Sequence, residues 1–156
     1  MLNWLDATAL STWLKESPSV WAFPTVLTLH TTGMGILVGA SYMLDLRLLG
    51  VGRRVPLSGY RWVFPTLAVG LSVNIVTGIL LFIKDPIHWG TAFPFFIKMG
   101  LVIASVATVV PMRSLVLGSG AEQGEVSGNM RLLAIASIVV WSGAITAGRL
   151  LAYVVP

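Results

Sequence analysis

No cysteine occurs anywhere in the 156 residues. That excludes disulfides, thiolate nucleophiles, iron–sulfur ligation and covalent c-type haem attachment. Charge is almost as scarce. Asp, Glu, Lys and Arg make up 10% of the chain, against about 25% in an ordinary soluble domain. So few charges cannot clothe a globule of this size in water, which disfavours a soluble enzyme, a disordered tail and a secreted disulfide scaffold together. Acids are the scarcer sign, 6 against 10 basic residues. The chain also lacks a paired-carboxylate site, a GxSxG elbow, a phosphate-binding P-loop and an HExxH zinc pattern. Arginine rows of the voltage-sensor kind and acidic filter rings are missing too.

What is present is apolar. Hydrophobic residues reach 56% and the mean hydropathy is +0.87. Between Glu16 and Asp45 lie 28 residues without a charged side chain, and between Arg61 and Lys84 lie 22 more. A third run from Phe93 to Val116 is broken only by Lys98 and Arg113, and a fourth from Leu132 to Val155 only by Arg149. A membrane-spanning helix needs roughly 20 apolar residues. The runs do not alternate as barrel strands do, and in lipid the backbone must satisfy itself, which leaves helices. The sequence therefore predicts a single all-α domain over 1–156, an integral membrane four-helix bundle with spans at about 19–44, 61–83, 92–116 and 131–154. Residues 1–16, with Leu2, Leu5, Ala9, Trp13 and Leu14 at helical spacing, predict a short helix on the outer membrane surface. Residues 118–129, GSGAEQGEVSGN, predict a flexible cytoplasmic loop.

Arg47, Arg53, Arg54 and Arg61 follow the first span, and Arg113 and Arg131 flank the third loop. The opposite side has Lys15 and Lys84, with Lys98 and Arg149 near helix ends. Basic loops stay cytoplasmic. Both termini are then expected on the periplasmic side of a bacterial inner membrane. The net charge of +4 belongs to those loops, and no nucleic-acid partner is expected. Small residues favour close helix contacts in lipid. Gly33, Gly35 and Gly39, then Gly70, Asn74 and Gly78, then Gly100 and Ala104, then Ala144, Ala147 and Gly148 give each span such a stripe, predicting a compact bundle.

Polar side chains at membrane depth are expensive, so each is a functional candidate. His30, Thr31, Thr32, Asn74, Thr77, Lys98, Thr146 and Arg149 all fall in the outer half, and no comparable collection is expected in the inner half. Two cations and a histidine without a carboxylate call for an anion, such as haem propionates, a lipid phosphate or an anionic substrate. Snorkelling to the headgroups is the alternative for Lys98 and Arg149. His30 is the only histidine within a span. It is a candidate haem-iron ligand, with Gly33 one turn away to admit a flat ligand, or else a histidine bonded to Asn74 or a backbone carbonyl. His88, in the loop KDPIHWG, is a candidate second metal ligand or an ordinary loop residue. Met34 is a softer candidate, or simply core.

Two segments carry a resemblance. Residues 29–50, LHTTGMGILVGASYMLDLRLLG, place a histidine early in a span, glycines through it and an acid–arginine pair at its end. Residues 93–104, FPFFIKMGLVIA, open a helix with aromatics followed by a lysine. This order resembles a broad group of small membrane proteins. It includes the haem b-binding oxygen-independent protoporphyrinogen oxidase of bacteria and the membrane partner of periplasmic copper-resistance systems. The chain looks closest to an uncharacterised bacterial four-helix family carrying the DLRLLG segment, here Asp45 to Gly50. The oxidase pattern implies that His30 binds haem and that Lys98 serves the active site. The oxidase group has a histidine shortly before the lysine, and the matching position here is Phe96.

Three functions follow as expectations. The first is a membrane redox subunit with one haem b in the outer half, passing electrons between quinone and a periplasmic partner. His30 and His88 would then be axial ligands, and Lys98 and Arg149 would neutralise propionates. The second is a non-catalytic structural or assembly subunit of a larger membrane complex, or a homo-oligomer. The third is a small copper or cation transporter using His30, Met34, His88 and Met99, which a positive outer cluster opposes. The lack of native cysteine makes the topology directly testable. Single cysteines placed in 50–60 and 118–128 should react with an impermeant thiol reagent only from the cytoplasmic face, and those in 84–90 only from the opposite face.

Overall fold

The computed structural model describes residues 2–17, 19, 21–118 and 126–154. Apart from turns and a short 3-10 segment, these residues are helical: α1 (Leu2–Asp6), α2 (Ala9–Glu16), α3 (Phe23–Leu49), α4 (Val63–Lys84), α5 (Pro86–Thr91), α6 (Phe93–Leu117) and α7 (Gly128–Val154), with a 3-10 turn at Leu57–Tyr60. Four of the helices, α3, α4, α6 and α7, are long and apolar enough to cross a membrane. The all-α four-helix bundle is as the sequence predicts. The loop expected at 118–129 lies largely outside the described residues.

Helix ends follow local chemistry. Pro24 and Pro94 stand in the first turns of α3 and α6, where the missing N–H has no intrahelical role. Gly50 ends α3 at φ 106°, and the amides of Gly50 and Val51 close onto the carbonyls of Arg47 and Leu46. Only glycine adopts that conformation cheaply. The helix thus runs five residues past the predicted end at 44, carrying Asp45 and Arg47 inside it. Charge alone misplaces the boundary because both side chains are buried. At the start of α7 the Ser127 hydroxyl accepts from the Met130 amide at 3.4 Å, an N-cap.

The predicted single surface helix is two. Thr8 breaks it, its hydroxyl accepting from the Ser11 amide and donating to the Leu5 carbonyl. An Asp6–Lys15 ion pair ties the two pieces together. They lie against α4 and α5, with Leu14 buried among Val26 and Leu81. The segment 86–91, expected as loop, is helix α5, capped by the Asp85 carboxylate accepting from the His88 amide. We call this the His30 end of the bundle and the opposite end the basic-loop end.

The helices are arranged in the order α4, α3, α7, α6. The pairs α3–α4, α3–α7 and α6–α7 pack, whereas α4 and α6 scarcely touch. The bundle is therefore open along one side. The tightest seam is α3–α4. A Cβ at Gly70 would lie 2.9 Å from the Leu37 amide nitrogen and 3.1 Å from the Gly33 carbonyl oxygen, so the two backbones are in direct contact there. Gly33 is equally confined, by Val73 and Asn74. Gly35, Gly39 and Gly100 have nothing within 4 Å. The Gly35–Gly39 stripe points outward, because residues two positions from Gly33 and Leu37 leave the contact face at 100° per residue. Most of the core, including Leu37, Leu44, Leu48, Leu67, Met112, Val116 and Trp141, lies toward the basic-loop end.

Gly70→Val should force α3 and α4 apart and lower stability by about 1–3 kcal/mol, read as a lower midpoint of thermal unfolding in detergent. Gly35→Val should leave the isolated chain's midpoint unchanged.

Candidate functional site

Two cavities occupy the open side between α4 and α6. The one toward the His30 end has a volume of about 330 Å³ and takes its walls from α3, α4, α5, α6 and α7. The other, of about 430 Å³, continues toward Phe64 and Arg113, and the two share Leu37, Leu71 and Trp141. Ile75, Ile79 and Met99 line the first cavity while also being exposed. Its mouth therefore opens laterally, onto the face that acyl chains would cover.

The first cavity gathers four polar side chains on apolar walls: His30, Asn74, Lys98 and Trp141. His30 comes from α3, and its Nδ1 lies 2.9 Å from the Thr77 hydroxyl of α4. Thr77 Oγ1 in turn lies 2.6 Å from the Val73 carbonyl. A hydroxyl has one proton, and a carbonyl can only accept. The Thr77 proton is thus given to Val73, and its oxygen accepts from His30 Nδ1–H. The tautomer follows from this network. His30 Nε2 is left as a bare lone pair, buried and without a partner.

The other three polar atoms are placed in the same spirit. Asn74 Nδ2 donates to the Gly70 carbonyl at 3.1 Å, and its Oδ1 is buried without a partner. Trp141 is fully buried and its Nε1–H also has no partner. Lys98 reaches past Gly148, where an added Cβ would lie 3.5 Å from its Cε and 3.7 Å from its Nζ. It forms no ion pair among the described residues, and no acid lines the cavity. The wall from α3 and α4 thus presents acceptors, and the wall from α6 and α7 presents donors, one of them cationic. A buried polar atom without a partner costs about 1–3 kcal/mol. Three such atoms on residues that line one cavity favour a ligand with matching groups.

The remaining sequence candidates fall elsewhere. His88 is exposed on α5, with Nδ1 2.9 Å from both Asp85 carboxylate oxygens, and it does not line the cavity. Its neighbour Trp89 does. Arg149 is exposed, so the structure brings one cation and not two to the imidazole. Gly33 is spent on the contact with α4 and not on the cavity wall. Thr31, Thr32 and Thr146 are exposed. Met34 and Met99 do line the cavity with His30, while no group of three or more His, Cys, Asp or Glu is gathered among the described residues.

Two features escaped the sequence reading. Trp141 is one. The signal was its depth, since the other five tryptophans stand at or outside span borders. The second is a buried polar cluster toward the basic-loop end, Ser41, Asp45 and Ser137, where none was expected. The serine one turn before an acid, Ser41 and Asp45, was its only trace. No known protein family, curated protein or solved structure matches the chain.

Nitrogen-15 NMR of histidine-labelled protein should show His30 protonated at Nδ1 and bare at Nε2. Thr77→Val removes the hydroxyl that accepts from that N–H and should cost about 1 kcal/mol by thermal unfolding.

Proposed function

We propose that the chain is a membrane redox subunit that holds one haem b in the cavity at the His30 end. The observation that carries the reading is the lone pair on His30 Nε2. It is buried and unpartnered, on a residue that lines the cavity, with the other ring nitrogen held by an oxygen acceptor. Metal-ligating histidines are oriented in this way. A bare quinone carbonyl, itself an acceptor, would have nothing to offer that atom. An iron centre does.

The donor set fits the group. His30 would hold the iron from α3, and Lys98 and Trp141 supply donors for a carboxylate on the facing wall. Met34 and Met99 line the same space. His88 and Arg149 are outside it, so His30 is the one histidine ligand in this reading. Haem, when bound, supplies one-electron chemistry. The chain's own residues bind and orient it, neutralise its anionic edge with the Lys98 ammonium, and keep water from the iron with apolar walls. Electrons would pass between a quinone, reached from the bilayer, and a periplasmic partner. The His30 end would then face the periplasm and the basic loops the cytoplasm, in a bacterial inner membrane.

A second reading is a non-catalytic subunit of a larger membrane complex or a homo-oligomer. It is favoured by the outward Gly35–Gly39 face, where no described residue lies within 4 Å of an added Cβ. A cation transporter is disfavoured, because the cavity holds a lysine and no carboxylate.

Purified protein supplemented with haem should show a Soret band and a reduced-minus-oxidised b-type spectrum. His30→Ala should abolish both, and His88→Ala should leave them. Lys98→Met should weaken haem affinity about tenfold or more, the equivalent of one charged hydrogen bond. A protein without a Soret band after supplementation removes this reading.

A further inference from the structure

A second polar site lies in the same bundle, and the redox reading makes no use of it. Asp45 of α3 is fully buried. Its Oδ2 accepts from the Ser137 hydroxyl of α7 at 2.9 Å and from the Ser41 hydroxyl at 3.4 Å. The two serine oxygens are 3.5 Å apart. Its Oδ1 is buried with no hydrogen-bond partner.

That asymmetry bears on the charge. An ionised carboxylate divides its charge evenly between its oxygens. Here half of it would rest on an atom with no donor, the costliest arrangement open to a buried carboxylate. A neutral acid divides the roles instead. Its carbonyl oxygen accepts both serine protons, and its hydroxyl oxygen carries a proton of its own.

No cation answers Asp45 in place of a proton. Arg47, two residues on, is turned to the chain beyond the helix: its Nε donates to the Val55 carbonyl at 2.8 Å and its Nη2 to the Arg53 carbonyl at 3.5 Å. Arg131 of α7, Arg113 of α6, and Arg53, Arg54 and Arg61 of the connecting segment are exposed. Among the described residues none pairs with Asp45. The Tyr42 hydroxyl is 2.7 Å from Ser142 Oγ and 3.3 Å from the Ile138 carbonyl, and the Tyr60 hydroxyl lies over Gly52.

We infer that Asp45 is a proton-binding site whose Oδ1 exchanges its proton with the aqueous phase at the basic-loop end. Asp45 is five residues from Gly50, about 7.5 Å along the axis at 1.5 Å per residue, and residues 51–56 are exposed. A hydronium ion donates its proton to Oδ1, an O–H bond forms, water departs, and no electron moves. The reverse step returns the proton to that phase.

Infrared spectroscopy of the full-length protein in lipid vesicles at neutral pH tests this, and six acids in the whole chain keep the region uncrowded. The expected result is a carboxylic-acid C=O band that disappears in Asp45→Asn. The band should rise in frequency in Ser137→Ala, where the carbonyl oxygen loses its shorter hydrogen bond, and fall on transfer to D2O. Should the Asn variant fail to fold, the shift in Ser137→Ala assigns the band by itself. Loss of a carboxylate band in Asp45→Asn overturns the proposal. So does a C=O band unmoved by Ser137→Ala, and so does one that D2O leaves unchanged.

Discussion

The His30 end is organised by the destination of one proton. Thr77 has a single hydroxyl hydrogen, and the Val73 carbonyl 2.6 Å away receives it. That choice makes the Thr77 oxygen an acceptor, fixes the hydrogen of His30 on Nδ1, and leaves Nε2 with an uncommitted lone pair. The imidazole is held by a neighbouring helix, so its orientation depends on the register of α3 against α4. That register is set where the backbones touch, at Gly70, Leu37 and Gly33. Helix contact, tautomer and ligand chemistry form one chain of causes. Lipid offers no preference between apolar helix faces, so close backbone approach and hydrogen bonds have to supply the specificity that a water-excluded core supplies in soluble proteins.

The four buried side-chain atoms left without a partner among the described residues follow the same economy. Three of them belong to His30, Asn74 and Trp141, residues that line the cavity at the His30 end. The fourth is Asp45 Oδ1, toward the basic-loop end. Elsewhere the serines and threonines of the helices give their protons to carbonyls one turn back, as Thr28, Thr31, Ser72, Ser105 and Thr146 do. The bundle therefore satisfies polar groups where it can do so locally, and the exceptions fall at the two places where chemistry is proposed.

Four spans were legible because a run of 20 apolar residues has few other uses. Their ends were less so. The end of α3 was hidden by Asp45 and Arg47, whose charges read as a border until burial and hydrogen bonding are known. The segment 86–91 read as loop because six residues give no periodicity. His30, Asn74 and Lys98 were legible as polar groups at depth. Depth alone does not give direction around a helix, which is why Arg149 was a candidate beside them and is exposed, and why Gly33, though next to Asn74, packs on α4 and does not line the cavity. Trp141 and Ser137 depend on the contact of α7 with α3, a pairing across about a hundred residues that no local pattern contains. The glycine stripes gave spacing without facing, so Gly35 and Gly39 looked like the packing seam that Gly33 and Gly70 actually make.

The gap between α4 and α6 has a further consequence. With α4 and α6 in a bilayer, a molecule arriving there past the exposed Ile75, Ile79 and Met99 would come from hydrocarbon and not from water. Its effective concentration is then set by how well it dissolves in the bilayer, and two-dimensional diffusion brings it to the protein. Occupancy at a given total amount would fall as membrane area grows, a dilution that buffer volume cannot imitate.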